Sequence, residues 1–363
     1  MRDGVNGLEG VVAAETVLSE VDGEAGRLVI RGHGLEALAG WTFEEVTGLL
    51  WSGFFDGLPR DLRPALGAAR AEVFDEVARL DDGLLARAPI EAVRALTARL
   101  ADGDDLAIAL RLAAAPAVFT AAAVRARQGE PAVAPDPAAG HAADILRMSR
   151  GRPARPAEVA ALEAYLVTVS DHGLNASTFA ARVVASTRAG LTSAVLAGLS
   201  ALKGPLHGGA PGPVIEMLDG VGAPQNARAW LEAALDRGDR LMGFGHRVYR
   251  VRDPRADALK RAVAALGKAS NVLPGRFALA EAVEVAALEV LRERKPNRSL
   301  QTNVELYTAL LLEALAFPPE AFTCVFAMGR VAGWIAHARE QVLGGRLIRP
   351  QSRYIGPRAR AAA

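Results

Sequence analysis

Alanine makes up about a fifth of the 363 residues and falls in blocks such as Arg94 to Arg127 and Ala256 to Leu291. It loses no side-chain entropy in a helix and has the highest helix propensity, so blocks of this kind favour helix over strand. Aromatic residues, which suit a pleated surface, are only 5% of the chain. An all-α fold is expected. At about 100 to 200 residues per domain, the length suits two domains or one large domain with an insertion.

One stretch breaks the helical pattern. Between Leu8 and Gly32, the pairs Val11-Val12 and Leu28-Val29-Ile30 are β-prone, and Val21-Asp22-Gly23 and Gly26 are turn signals, which predicts one short hairpin. Helix starts are expected at Thr42, whose spacing to Glu45 is that of a capping box, and at Pro89, Pro156 and Pro319. Gln128 to Pro137 is Pro-rich and aperiodic, a loop between helices. Val159 to Leu202 is nearly continuous apolar helix interrupted at Asp171 to Asn175, and a further helix runs from Asn303 to about Ala316.

Several function classes can be set aside. A net charge of +1 gives no basic excess for a phosphate backbone, so no nucleic-acid partner is expected. The opening MRDGVNGLEG has no apolar signal region. The longest uncharged apolar run, Ala189 to Leu202, is shorter than the roughly 18 residues that span a bilayer, so no membrane segment is expected. The single cysteine, Cys324, can form neither an internal disulfide nor a cysteine zinc site, which suits a cytoplasmic protein. No two histidines stand at helical metal-ligand spacing, so no metal is expected.

Three of the six histidines, His172, His207 and His246, sit beside glycines where helices break. A loop histidine bonded to a carbonyl is the ordinary explanation for any one of them, but three such positions point to a site. Arg250, Arg255, Arg330 and Arg349 lie beside glycine, proline or apolar residues rather than on charge-balanced helix faces. A guanidinium fork matches a carboxylate at two points, so arginines converging with histidines would make a pocket for a small polycarboxylate. Arg330 is the sharpest case, because it falls in an apolar helix where an unpaired charge is costly unless it meets an anion.

The segments Asp171-His172-Gly173-Leu174-Asn175-Ala176-Ser177-Thr178, Lys203-Gly204-Pro205-Leu206-His207-Gly208-Gly209-Ala210 and Gly243-Phe244-Gly245-His246-Arg247-Val248-Tyr249, followed by Asp253-Pro254-Arg255, resemble the citrate synthase family, in the same order. Gly7 to Val12, Asn303-Val304-Glu305 and Arg349-Pro350 fit as well, so the resemblance covers nearly the whole chain. It implies a two-domain helical homodimer, with residues 1–208 and 313–363 forming the large domain and 209–312 a small domain that closes over the cleft.

The resemblance further implies an acyltransferase that condenses acetyl-CoA with oxaloacetate, with no metal or organic cofactor and with acetyl-CoA as co-substrate. His207, His246 and Glu305 would be catalytic. His172, Arg255, Arg330 and Phe326 would bind oxaloacetate together with Arg349 of the partner subunit, and Arg250, Gly243 and Gly245 would lie near CoA. Glu305 stands where the family commonly has Asp, and its side chain is longer by about 1.5 Å. Two other readings follow from these residues: a synthase that uses propionyl-CoA to make 2-methylcitrate, and a non-catalytic paralogue that binds oxaloacetate or CoA.

Overall fold

The computed structural model describes residues 7–8, 10–78, 82–208, 211–246, 248–270 and 274–357. Gly209, Ala210 and Arg247, which belong to the motifs above, lie outside these residues. The only sheet among them has three strands: β1 (Ser19–Asp22), β2 (Arg27–Ile30) and β3 (His33–Gly34). β1 and β2 pair antiparallel with Ser19 opposite Ile30 and Asp22 opposite Arg27, and β3 adds to the other side of β2. The first strand is therefore not Val11-Val12, which is exposed at 52% and 86%. Four turn residues connect Asp22 to Arg27, whereas Val12 would need a far longer loop to reach Leu28. Val21, expected in the turn, lies in the strand.

Helices form the rest. They are α1 (Phe43–Trp51), α2 (Arg63–Ala78), α3 (Asp82–Leu85), α4 (Pro89–Thr97), α5 (Leu106–Arg127), α6 (His141–Arg150), α7 (Pro156–Val169), α8 (Ala176–Ala185) and α9 (Leu191–Leu202). After these come α10 (Pro211–Val221), α11 (Ala227–Asp236), α12 (Pro254–Ser270), α13 (Pro274–Arg294), α14 (Val304–Ala314) and α15 (Phe322–Gly344). Thr42 and Glu45 form the reciprocal capping box at the start of α1. Pro319 opens a short 3-10 turn that runs into α15. Helices α8 and α9 are separated by a break that sequence periodicity does not show. The reason is non-local: Asp102 accepts the backbone N–H groups of Thr192 (2.9 Å) and Ser193 (3.2 Å), capping α9 from 90 residues away.

The core is built around α5 and α15. Helix α5 packs on α2, α4, α6 and α15, while α15 also covers α1, α7, α8 and α9. By length and composition, Leu106–Arg127 and Pro319–Gly344 are each apolar enough to cross a membrane, but 83% and 89% of their apolar windows are buried inside the protein. Here that apolar character is used in packing. A second group, α10 to α14, pairs α11 with α13 and α10 with α14, and α12 bridges α14 to α7.

Glycine sets one contact that matters for the site. A Cβ on Gly333 would lie 2.3 Å from the carbonyl oxygen of Ser170, and one on Gly329 would lie 2.5 Å from Val169 Cγ2. Only without side chains at these positions can α15 lie flush against the end of α7. That contact carries Arg330, between the two glycines, to the Asp171–Asn175 loop.

Candidate active site

The break between α7 and α8 supplies the first group. Asn175 caps α8 through Oδ1, which accepts the N–H groups of Ser177 (3.2 Å) and Thr178 (3.1 Å). The preceding loop is thereby fixed with His172 buried, its Nε2 3.2 Å from the Tyr249 hydroxyl. Below the loop, the buried Asp171 carboxylate meets His337 Nε2 at 3.2 Å.

The second group comes from residues 243–255. Here Gly245 N–H donates to Gln301 O (2.7 Å), Asn303 N–H to Gly243 O (3.0 Å) and Asn303 Nδ2 to Gly245 O (2.8 Å). Gly243 and Gly245 both have positive φ, at 86° and 81°, which lets this tight pairing form. It binds the His246 loop to the start of α14, where Glu305 occupies the first turn.

The orientation of His246 follows from its neighbours. Its Nδ1 accepts the backbone N–H groups of both Val248 and Tyr249 at 3.0 Å, so the proton of the neutral ring is on Nε2. Arg255 Nη2 lies 3.2 Å from that same Nε2. Two donors therefore face each other, an arrangement that makes sense only around an acceptor oxygen from elsewhere. Asp253 holds Arg255 with Oδ1 on Nε (3.0 Å) and Oδ2 on Nη2 (2.8 Å), and its Oδ2 also accepts the N–H of Val304 (3.2 Å). One carboxylate thus links the arginine to the helix that carries Glu305.

Arg330 arrives from α15 and is 1% exposed. Its Nε donates to Val169 O at 2.7 Å and its guanidinium lies over the Phe326 ring, but Nη2 is buried with no hydrogen-bond partner among the described residues. Burial, followed by the effect of nearby Arg255, pulls its affinity for the proton down to a pKa of about 10 against the opposing pull of Asp171. An unsatisfied buried donor on a cation is a strong pointer to an anionic ligand.

His207 completes the cluster. Its Nε2 is 2.8 Å from Ser177 Oγ, and its ring meets Phe326 edge-on. Ser177 Oγ accepts Trp334 Nε1–H at 3.1 Å and lies 2.8 Å from Asn175 Oδ1. The Ser177 hydroxyl proton has two acceptors at 2.8 Å, Asn175 Oδ1 and His207 Nε2; donated to His207 Nε2, it leaves Nδ1–H as the donor of the ring.

Electrostatics keep all three rings neutral. Burial first, then Arg330 and Arg255, holds His207 to a pKa of about 4. Burial first, then Arg255, does the same for His246. His172 is pushed well below 6.5 by burial, Arg255 and Arg330. Glu305 shifts the other way: burial raises its pKa above 4.5 against the pull of Arg240 and Arg255. A carboxylate raised in this way is a stronger base than a free one.

His172, His207, His246, Arg255, Arg330, Phe326 and Glu305 are thus brought together. Arg349 is not. It is exposed in the tail beyond α15, beside a cavity lined by Pro350, Gln351 and Ser352. Arg250 is also on the surface, its side chain 64% exposed.

The family model for the citrate synthase C-terminal domain matches residues 7–351. The chain belongs to the citrate synthase family. It is therefore an acyltransferase. A citrate synthase from Haloferax volcanii is 40% identical over 96% of this chain and 95% of its own length. A 2-methylcitrate synthase from Mycobacterium tuberculosis is 38% identical over 96% of this chain and 90% of its own. The solved ternary complex of citrate synthase from Thermoplasma acidophilum with carboxymethyl coenzyme A and oxaloacetate superposes with a TM-score of 0.85, at 29% identity, covering 99% of this chain and 98% of its own.

For this citrate synthase family member, sequence reasoning misses four residues of the site. Ser177 and Tyr249 stand inside segments that the motifs already single out, but a hydroxyl that orients an imidazole has no spacing rule. Trp334 reads as core, and only its Nε1–H bond to Ser177 gives it another role. Asp253 reads as part of a turn, although it is 1% exposed and its carboxylate serves four donor groups.

Proposed function

We propose that this enzyme condenses acetyl-CoA with oxaloacetate and hydrolyses the citryl thioester to citrate and CoA. The observation that carries this reading is the facing pair of donors, His246 Nε2–H and Arg255 Nη2, next to the unpartnered Nη2 of Arg330. A dicarboxylate with a ketone between its acid groups supplies the acceptors they lack. The ketone oxygen accepts from His246 Nε2–H, and the carboxylates meet the guanidinium groups and His172.

Glu305 then removes a methyl proton from acetyl-CoA while His207 Nδ1–H donates to the thioester oxygen. A thioester C–H is far less acidic than a carboxylic acid, so the base works only with a preorganised donor at the developing oxyanion. The resulting enol carbon attacks the ketone carbon, and the alkoxide oxygen formed there is stabilised from His246. Water then cleaves the thioester and releases CoA. No step transfers an electron, so the substrates suffice without a cofactor. Residues 209–312 form the small domain that closes on the cleft, with Arg250, Gly243 and Gly245 beside the CoA arm.

The working unit is a homodimer in which Arg349 of the partner subunit completes the site. Arg255 is already paired with Asp253, which leaves Arg330 as the one buried guanidinium of the site without a direct ion pair among the described residues, facing two substrate charges. A third cation balances the dianion. The tail supports this, since Leu347, Tyr354 and Ile355 are 58%, 76% and 75% exposed and Arg349 is free to reach another chain. With its single cysteine buried, the enzyme suits the cytoplasm.

A thiol-release assay tests the reading. CoA is expected from acetyl-CoA only when oxaloacetate is present, and release without oxaloacetate would overturn it. Propionyl-CoA in the same assay tests the 2-methylcitrate alternative, which the 38% identical relative keeps open beside the 40% identical citrate synthase. One methylene in an apolar pocket is worth about 1 to 3 kcal/mol, so the ratio of the two kcat/KM values decides. Burial pushes the Cys324 thiol up to about 12, so the native protein adds no thiol signal of its own.

A further inference from the structure

The small N-terminal sheet touches both oxaloacetate-binding loops. At one end, Ser19 Oγ accepts the N–H of Gly173 at 3.0 Å and hydrogen-bonds to the Asp171 carboxylate, so the residues on both sides of His172 are tied to β1. Val21 presses on the same loop, 3.2 Å from where a Cβ on Gly173 would be. At the other end, the turn from Gly23 to Gly26 lies against residues 248–252. Gly23 O accepts the N–H of Arg250 at 2.9 Å. A Cβ on Gly23 would be 2.3 Å from Val248 O, and one on Gly26 would be 2.7 Å from Val251 Cγ2.

The Val248 contact leads to the chemistry. Val248 N–H is one of the two donors that hold His246 Nδ1, so a shift of this backbone turns the imidazole. Ser19 fixes the loop of His172, Gly23 fixes the loop of His246, and the two rings meet edge-on with centroids 5.6 Å apart.

We propose that the N-terminal hairpin is a strut that sets the spacing of the two imidazoles around oxaloacetate, with Ser19 and Gly23 as its positioning residues. This rests on the proposed reaction. Two strands joined by backbone hydrogen bonds are stiffer than either loop alone, so the hairpin can hold that spacing.

The test uses the full-length enzyme with Gly23→Ala, Ser19→Ala and Gly34→Ala. Gly23 does not have a positive φ, so alanine there tests the contact with Val248 rather than backbone strain. Gly34 lies in the same sheet, and a Cβ there would have nothing within 4 Å, so it serves as the control. Gly23→Ala is expected to raise the KM for oxaloacetate about tenfold or more, since a misplacement of about 1 Å costs up to a hundredfold, while the KM for acetyl-CoA stays within about twofold. Ser19→Ala should raise the same constant by a smaller factor, and Gly34→Ala should match the wild type.

Amide hydrogen exchange without ligand reads the strut directly: the Arg250 amide should exchange faster in Gly23→Ala. A Gly23→Ala enzyme with wild-type oxaloacetate KM and wild-type exchange at Arg250 overturns the proposal. If Gly23→Ala fails to fold, an unchanged oxaloacetate KM in Ser19→Ala overturns it. A wild-type enzyme that releases no CoA with oxaloacetate would fail the proposed reaction instead, and the exchange arm would still decide whether the hairpin holds the loop.

Discussion

Ser177 Oγ lies 2.8 Å from His207 Nε2, and this one contact decides which nitrogen of the ring can face a substrate. With the serine hydroxyl donating to Nε2 rather than to Asn175 Oδ1, Nδ1–H is the free donor. Ser177→Ala removes that preference and also leaves Trp334 Nε1–H without its acceptor. The expected result is a fall in kcat of about 10 to 100-fold with oxaloacetate binding retained, measured by steady-state kinetics beside calorimetry. An unchanged kcat would free His207 from dependence on Ser177.

Among the described residues Arg330 has a buried nitrogen without a partner, so its role should show in binding rather than in stability. Arg330→Met is expected to weaken oxaloacetate binding about a hundredfold or more, because a charge-assisted pair in a buried site is lost. Thermal unfolding should stay near that of the wild type, since the variant removes a buried cation that has no direct ion pair among the described residues. Calorimetric titration with oxaloacetate checks the first outcome, and a melting curve checks the second.

Glu305→Gln keeps the shape of the side chain and removes its basicity. Citrate formation should fall by about a thousandfold or more while oxaloacetate still binds. Exchange of the acetyl-CoA methyl protons with solvent deuterium should fall in parallel. Exchange at the unmutated rate would take Glu305 out of the mechanism.

Arg349→Ala and His246→Ala should each be inactive alone. After subunit exchange, a mixed dimer holds one intact site if Arg349 acts across the interface, so activity should return to roughly a quarter of the wild-type level for random mixing. Mass spectrometry establishes that exchange has occurred. No recovery after proven exchange would place Arg349 elsewhere.

Acid should weaken the fold in two stages. His207 and His246 have folded pKa values of about 4 against 6.5 when unfolded, so the unfolded chain binds more protons between those values. Their contribution is complete above pH 6.5 and is lost as pH falls toward 4. Glu284, which accepts from Tyr307 (2.5 Å), Arg252 (2.8 Å) and Lys260 (3.0 Å), is held to about 2 despite its burial, against 4.5 unfolded. Its contribution is present above 4.5 and declines below. Urea midpoints at about pH 7, 5.5, 4.5 and 3.5 should fall steadily, and Glu284→Gln should flatten only the part below 4.5. A midpoint independent of pH would contradict both assignments.

Much of this is legible from local chemistry. Thr42, Pro89, Pro156 and Asn303 mark helix starts because capping and the proline ring act within one turn. His172, His207 and His246 are visible because each stands beside a glycine where a helix breaks. What escapes depends on partners distant in the chain. Asp102 caps a helix 90 residues on, and the first strand is Ser19–Asp22 rather than Val11-Val12 because Leu18 and Val21 have a core to face and Val12 does not. The role of Arg349, which the fold leaves exposed in the tail, is the extreme case, since nothing within the one chain tests it.

The buried helices α5 and α15 bear on how the molecule is made. In the folded enzyme their apolar surfaces are matched by neighbours. An unfolded copy instead displays two long apolar segments to water. Recovery from denaturation is then a race between laying α15 along its own neighbours and letting the same segments pair with other copies, and dilution favours the first.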